Sequence, residues 1–456
     1  MITIHFNNEK PLYEQIYDFF VKEIKENKIK SGEKLPSKRA LAQHLGVSLN
    51  TIKLAYEMLT DEGYIVSRER SGYYVDILCT EDLPKSKKPR PDFTPPITKK
   101  YKYDFSYYKI DNSKMPVSVL KRCTNEALEI VSTLTESPKG GLWSLREEIV
   151  KYLENRRGLV VSPEDIIITS GFTDQIMMLL LLLEDPIFGL EDPGYKKSED
   201  IFKIFNKKTI NIPIDKYGYS VKDLEKTNAN IAITTPSHQF PTGIIMVLRR
   251  RQRLLAWADE KPDRYIIEDD YDSDFKYSGN LIPSLKSLDK NDKVILLGSF
   301  SQSISPEIDV SFMVLPKKLR KKWETKESPF FGVSTINQLI LEKFLSSGAF
   351  EKHINRMNTH YRKKRDIVIK TLKKYPGIDI ISAEAGMHII VRMDKNLWDY
   401  NNFKDKVEKA GILVELVDTY SSRKWNNFDV IIGVGGIEIE KIKKAIEEFL
   451  EIIRIS

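Results

Sequence analysis

The chain has 456 residues, 41% hydrophobic and 30% charged, which is too long for one ordinary domain and apolar enough to bury two or three cores. A net charge of +7, with a pI near 8.9, permits an acidic partner without requiring one. The opening MITIHFNNEK lacks an apolar signal region, the run Ile176–Leu183 is too short to span a bilayer, and neither the histidines nor Cys79 and Cys123 have metal-ligand or paired spacing. These features predict a cytoplasmic multidomain protein with no membrane partner, no metal and free thiols.

In chain order, PLYEQIYDFFVKEIKEN places Leu12, Ile16, Phe19, Phe20 and Ile24 on one face of an amphipathic helix. Ser37 caps a second helix that runs through His44 and stops at Gly46. Ser48 caps a third, in which Ile52, Ala55, Tyr56 and Leu59 form the buried stripe and Leu49, Asn50 and Lys53 face outward. Two helices joined by the short turn LGVS are a helix-turn-helix, and the first turn of the second helix is where such units touch base edges. The hairpin YIVSRERSGYYV then sets Arg68 and Arg70 beside a Ser-Gly turn, as a wing does. Residues 1–75 carry eleven basic side chains against ten acidic ones, so placement matters more than total. Lys38, Arg39, Lys53, Arg68 and Arg70 cluster on the reading elements.

Over residues 10–76, and most closely in LPSKRALAQHLGVSLNTIKLAYEMLTDEGYI, the sequence resembles the GntR family of winged-helix regulators. The resemblance implies that Arg39, Ser48, Asn50, Thr51 and the wing residue Gly72 sit at DNA. Leu49 departs from it, standing where the family often carries arginine. The stretch from Glu81 to Lys102 is rich in proline and lysine, with seven basic residues against three acidic, and reads as a solvated linker.

From residue 104 onward, helical segments alternate with short apolar runs, DIIITS, IAITTP, YIIEDDYD and VILLGS, the pattern of a doubly wound, mainly parallel α/β sheet. The phrases TSGFTDQ, EDPGY, TPSHQFPTG, EDDYD and GSFSQ fall at the carboxyl ends of those runs, where such sheets collect functional groups. In that order they resemble the fold-type I aminotransferase domain of MocR-type regulators, which join it to a GntR domain. The organisation expected is a winged helix over 1–80, a linker over 81–103, and an aminotransferase-like domain over 104–456 with a smaller C-terminal α/β subdomain from about 345.

That resemblance implies a pyridoxal phosphate pocket. Asp269 would hold the pyridine nitrogen, Tyr271 would meet the ring hydroxyl, Tyr195 would lie on the ring face, and Gly171, Phe172 and Thr173 would open a helix suited to the phosphate. Ser299 and Ser301 belong to the turn that presents the reactive residue, and His238 is a further polar group at the strand ends. Three departures remove chemistry. Gln302 stands where the family has its Schiff-base lysine, and an amide nitrogen forms no imine. Asp309 replaces a phosphate-binding arginine, and a carboxylate roughly 5 Å from a phosphate costs several kcal/mol at an effective dielectric of about 20. A tyrosine-glycine pair falls on Glu136 and Ser137.

The expectation is therefore a transcription regulator, not an enzyme. It would bind double-stranded DNA at an operator with two half-sites, as a homodimer that allows a domain-swapped arrangement. Its degenerate pocket would hold no covalent pyridoxal phosphate. Non-covalent pyridoxal phosphate, another small-molecule effector, a purely structural dimerisation domain, and an aminotransferase with an accessory DNA-binding domain are the alternatives.

Overall fold

The computed structural model describes residues 2–4, 6–7, 10–76, 100–134, 138–277, 282–326 and 332–455. They fall into two compact units, Met1–Thr98 and Lys99–Ser456. Most of the expected linker, together with Cys79, Glu136 and Ser137, lies outside the described residues. At the end of that linker Lys102 N–H donates to Gly411 O at 2.7 Å, and Tyr103 pairs with Ile412, so these two residues are part of the larger unit.

In the smaller unit, α1 (Leu12–Lys25), α2 (Lys38–Leu45) and α3 (Leu49–Asp61) precede the antiparallel hairpin of β1 (Ile65–Arg68) and β2 (Gly72–Val75). Ser37 Oγ accepts the Ala40 N–H at 3.2 Å, and Gly46, at φ 68°, ends α2 in the left-handed region that glycine enters without a Cβ clash. Ser48 Oγ accepts the Thr51 N–H at 3.1 Å. The stripe Ile52, Ala55, Tyr56 and Leu59 is fully buried with Ile16, Phe20, Ile24, Leu35, Ile65 and Val75. Leu12 departs from the expected face. It is the first residue of α1 and stays 40% exposed, because periodicity marks a face but not where its cover ends.

The larger unit is built on an eight-stranded sheet. Its order is Ile166–Thr169, Ser311–Val314, Val294–Ser299, Tyr265–Asp270, Ile231–Thr234, Ile187–Asp192, Lys208–Asp215, Gly218–Tyr219. The five strands from Val294–Ser299 to Lys208–Asp215 run parallel, and Ser311–Val314 is antiparallel to both of its neighbours. Side chains alternate between two covered faces: Ile295 and Leu297 join one core, while Val294 joins another with Ile266 and Trp257. Burial on both faces is why these strands read as unbroken apolar runs. A 24-residue helix, Ala349–Leu372, leads to a four-stranded antiparallel sheet, Ile378–Ser382, His388–Met393, Phe428–Gly433, Glu415–Leu416, backed by helix Ile439–Ile453. Among the described residues no helix is long and apolar enough to cross a membrane.

Candidate functional site

The acidic run at the end of Tyr265–Asp270 is sorted by the pleat, which sends successive side chains to opposite faces. Glu268 is buried and accepts the N–H groups of Leu285 at 2.6 Å and Lys286 at 2.9 Å. Asp270, on the same face, pairs with the buried Arg157 at 2.7 Å and accepts the Ser273 hydroxyl at 2.9 Å. Asp269 points the other way into a cavity of about 450 Å³, where no hydrogen bond or ion pair among the described residues reaches its carboxylate. Burial, then the negative charges of Asp270, Glu191 and Asp272, push its pKa up to about 8.

Most of the expected pocket residues converge here. Gly171, Phe172, Thr173, Tyr195, Asp269, Tyr271, Ser299, Ser301, Gln302 and Asp309 all line the cavity. Burial, followed by the charge of Asp269, pushes the Tyr195 hydroxyl up to about 12. Sequence reasoning missed Tyr107, Tyr108 and Phe240, which wall the same space. Phe240 packs 4.4 Å from Tyr107 and 6.0 Å from Tyr195, centroid to centroid. Tyr107 and Tyr108 belong to FSYY, outside every phrase that the sequence marks as functional, and only the tertiary fold brings them in. Arg157, the last residue of its helix, was also missed; no local pattern marks it as the partner of Asp270.

His238 is placed differently from the expectation that it would face a ligand. It is buried behind Tyr271, with Nδ1 2.8 Å from Asp272 Oδ2 and 3.1 Å from the Tyr271 hydroxyl, and it does not line the cavity. It can orient Tyr271 but not touch a ligand. His238, Asp272 and His388 bring potential metal-ligand atoms within 4.8 Å of one another, a grouping that sequence spacing does not disclose. Hydrogen bonds already engage the trio: His238 with Asp272, and His388 Nε2 with Pro241 O at 3.3 Å. Burial, reinforced by His238, pushes the His388 pKa down to about 3.

The helix expected to receive a phosphate is Gly171–Leu182. It opens at Gly171, whose φ of 71° turns the chain sharply out of strand Ile166–Thr169. That end already holds acids. Asp309, itself at φ 46°, accepts the Ser170 hydroxyl at 2.5 Å, and its Oδ1 lies 3.4 Å from the position of a Cβ built on Gly171. Asp174 accepts the Ser170 N–H at 3.0 Å. Gln302 follows strand Val294–Ser299, and its buried Oε1 has no hydrogen-bond partner among the described residues. These residues do not suit pyridoxal phosphate bound in the usual covalent way: the Gln302 amide forms no imine, and the Asp309 carboxylate stands at the start of the helix expected to receive the phosphate.

The DNA-facing candidates are arranged in the opposite manner, outward and open. Arg39, Asn50 and Arg70 are exposed, and Lys53 is held only loosely by Glu57 at 3.7 Å. Lys38, at the start of α2, lies 4.8 Å over the Tyr73 ring, and Arg68, on the wing, lies 4.5 Å over the Tyr74 ring, so both cations rest against wing tyrosines. Ser48 and Thr51 share a hydrogen bond of 2.8 Å at the start of α3, and Gly72, at φ 112°, begins β2. Leu49, the first residue of α3, is exposed beside Asn50 and presents an apolar tip.

Residues 12–75 match the family described as bacterial regulatory proteins, gntR family, and residues 102–425 match aminotransferase class I and II. The HTH-type transcriptional regulator YdeL of Bacillus subtilis is 35% identical over 96% of each chain. The HTH-type pyridoxine biosynthesis transcriptional regulator PdxR of Corynebacterium glutamicum is 33% identical over 80% of this chain and 79% of its own. Among solved structures, an archaeal alanine:glyoxylate aminotransferase superposes with a TM-score of 0.70 at 26% identity, covering 78% of this chain and 91% of that one.

Proposed function

Because this chain belongs to the MocR-type transcriptional regulators, in which a GntR DNA-binding domain is fused to an aminotransferase class I and II domain, we propose that its larger unit is a non-catalytic sensor that regulates DNA binding through a reversibly held ligand. The observation that carries this reading is Gln302. It stands in the wall of the cavity where the fold presents a reactive residue, and its amide can hydrogen-bond a ligand but not capture an aldehyde. Asp269, the aromatic walls and Tyr271, backed by His238, keep a binding site without a nucleophile at its centre.

At the DNA, Arg39, Asn50 and Thr51 supply the main contacts, while Lys38, Lys53, Arg68, Arg70 and the backbone at Gly72 hold the phosphates. A homodimer then presents two reading heads to an operator with two half-sites. Val117, Leu128 and Trp143, apolar side chains left exposed on helices Val117–Val131 and Trp143–Arg157, suit burial against a second copy. Borohydride reduction with pyridoxal phosphate should leave no adduct in the pocket of the parent protein. The double variant Gln302→Lys with Asp309→Arg should gain one, and more of it than Gln302→Lys alone, because the single change leaves Asp309 at the phosphate seat. A reduced adduct mapped by mass spectrometry to the parent's pocket, or transfer of an amino group by the parent, would overturn the sensor reading.

A further inference from the structure

The chemistry of the cavity walls restricts which ligand the proposed sensor accepts. The first turn of an α-helix offers unsatisfied N–H groups and a partial positive charge, and so attracts an anion. In Gly171–Leu182 that attraction is met from within the chain. The Asp309 carboxylate is bonded to Ser170 at 2.5 Å and lies against Gly171, and Asp174 accepts the Ser170 N–H at 3.0 Å. The strand-loop backbone holds Asp309 there in the left-handed region, at φ 46°.

The rest of the wall offers acceptors in search of donors. No hydrogen bond or ion pair among the described residues reaches Asp269, and the buried Gln302 Oε1 has no partner. Phe172, Tyr195, Phe240 and Tyr107 provide apolar surface suited to a flat ring. Against Asp269 and Asp309, the one cation among the lining residues is Lys197, which is exposed.

We propose that Asp309 is a built-in substitute for a ligand phosphate, and that the cavity takes a phosphate-free, planar organic cation whose N–H groups bond Asp269 and Gln302. This inference rests on the non-covalent sensor reading above and assigns the ligand class for that same site. Charge complementarity supplies the selectivity: a cationic N–H at Asp269 favours the carboxylate over the protonated form of the empty cavity and, with Gln302 also engaged, satisfies both orphan acceptors, whereas a phosphate ester meets the Asp309 carboxylate at the helix end.

Pyridoxamine and pyridoxamine 5′-phosphate differ only by the phosphate group, and their equilibrium binding to the full chain at neutral pH tests the inference. The parent should bind pyridoxamine at least about tenfold more tightly than its phosphate ester. Asp309→Gly, which suits the left-handed backbone and opens the helix end, should reduce or reverse that preference by about tenfold. Asp309→Asn removes the charge with little change of shape and serves if the glycine variant does not fold; it should shift the preference the same way. Asp269→Asn should weaken pyridoxamine binding in the parent background. Reversible binding of the phosphate ester as tight as that of pyridoxamine, an unchanged preference in both Asp309 variants, or binding of neither probe by the parent would each overturn the ligand class. A borohydride-fixed adduct would instead overturn the non-covalent reading beneath it, so the two failures are distinct.

Discussion

In the smaller unit the functional side chains stand apart from those that make the fold, whereas around the cavity of the larger unit the two sets are interlocked. Arg39 and Asn50 project from α2 and α3, whose buried residues, Leu41 and Ala42 in the first and Ile52 to Leu59 in the second, do the folding. Asp269 shares a strand with Glu268, which anchors the backbone of Leu285 and Lys286, and with Asp270, which pairs with Arg157. On such an exposed face a residue can depart from the family pattern, as Leu49 does, without disturbing the core. Around the cavity a replacement must also find a place among its neighbours: Gln302 stands half-buried in the wall, and the exposed Asp309 is tied to Ser170.

That contrast is open to measurement. All five tryptophans lie in the larger unit, so their fluorescence reports on its unfolding alone. Arg157→Leu strips the buried Asp270 of its guanidinium partner, so that the carboxyl must stay unpaired or take up a proton, and should cost about 3–5 kcal/mol in the tryptophan-monitored urea transition. A loss below about 1 kcal/mol would mean that the pair is not part of the framework.

Arg39→Ala should weaken operator binding by about 1–3 kcal/mol while leaving that transition unmoved. If the tryptophan transition shifted as well, the reading face would not be independent of the larger unit.

Asp269→Asn tests the cavity from the other side. With a pKa of about 8 in the folded chain against about 3.9 unfolded, Asp269 keeps its proton on folding. Its ionisation therefore destabilises the ligand-free fold, an effect absent below the unfolded pKa and complete once pH exceeds about 8. The asparagine variant should match the parent near pH 4 and gain on the order of 2 kcal/mol by about pH 8, the partial access of the carboxylate to the cavity being allowed for. A gain independent of pH would show that the carboxylate is already ionised and compensated.

The smallest effect expected is that of Ser48→Ala, which removes the cap of α3 and should lower both helix stability and operator affinity by about 1 kcal/mol. Unchanged operator affinity would detach the cap from the reading function.

Much of this architecture was legible in the amino-acid order. Ser37, Gly46 and Ser48 are local signals whose physics acts within one turn, and the capping bonds form as the spacing requires. The strand runs ending in Thr169, Thr234, Asp270 and Ser299 read correctly, because burial on both faces leaves a continuous apolar signature. The same order placed Gln302 and Asp309 at the cavity.

Only the tertiary structure decided the rest. It turned His238 away from the cavity, brought Tyr107 and Phe240 to its wall, and gave Asp270 the guanidinium of Arg157, 113 residues away. It also set the Asp309 carboxylate on the first turn of Gly171–Leu182. Caps and periodicity are short-range and survive in the sequence as pattern. The partner of a buried charge is chosen by chain crossings between distant strands and helices, and no local spacing records that choice.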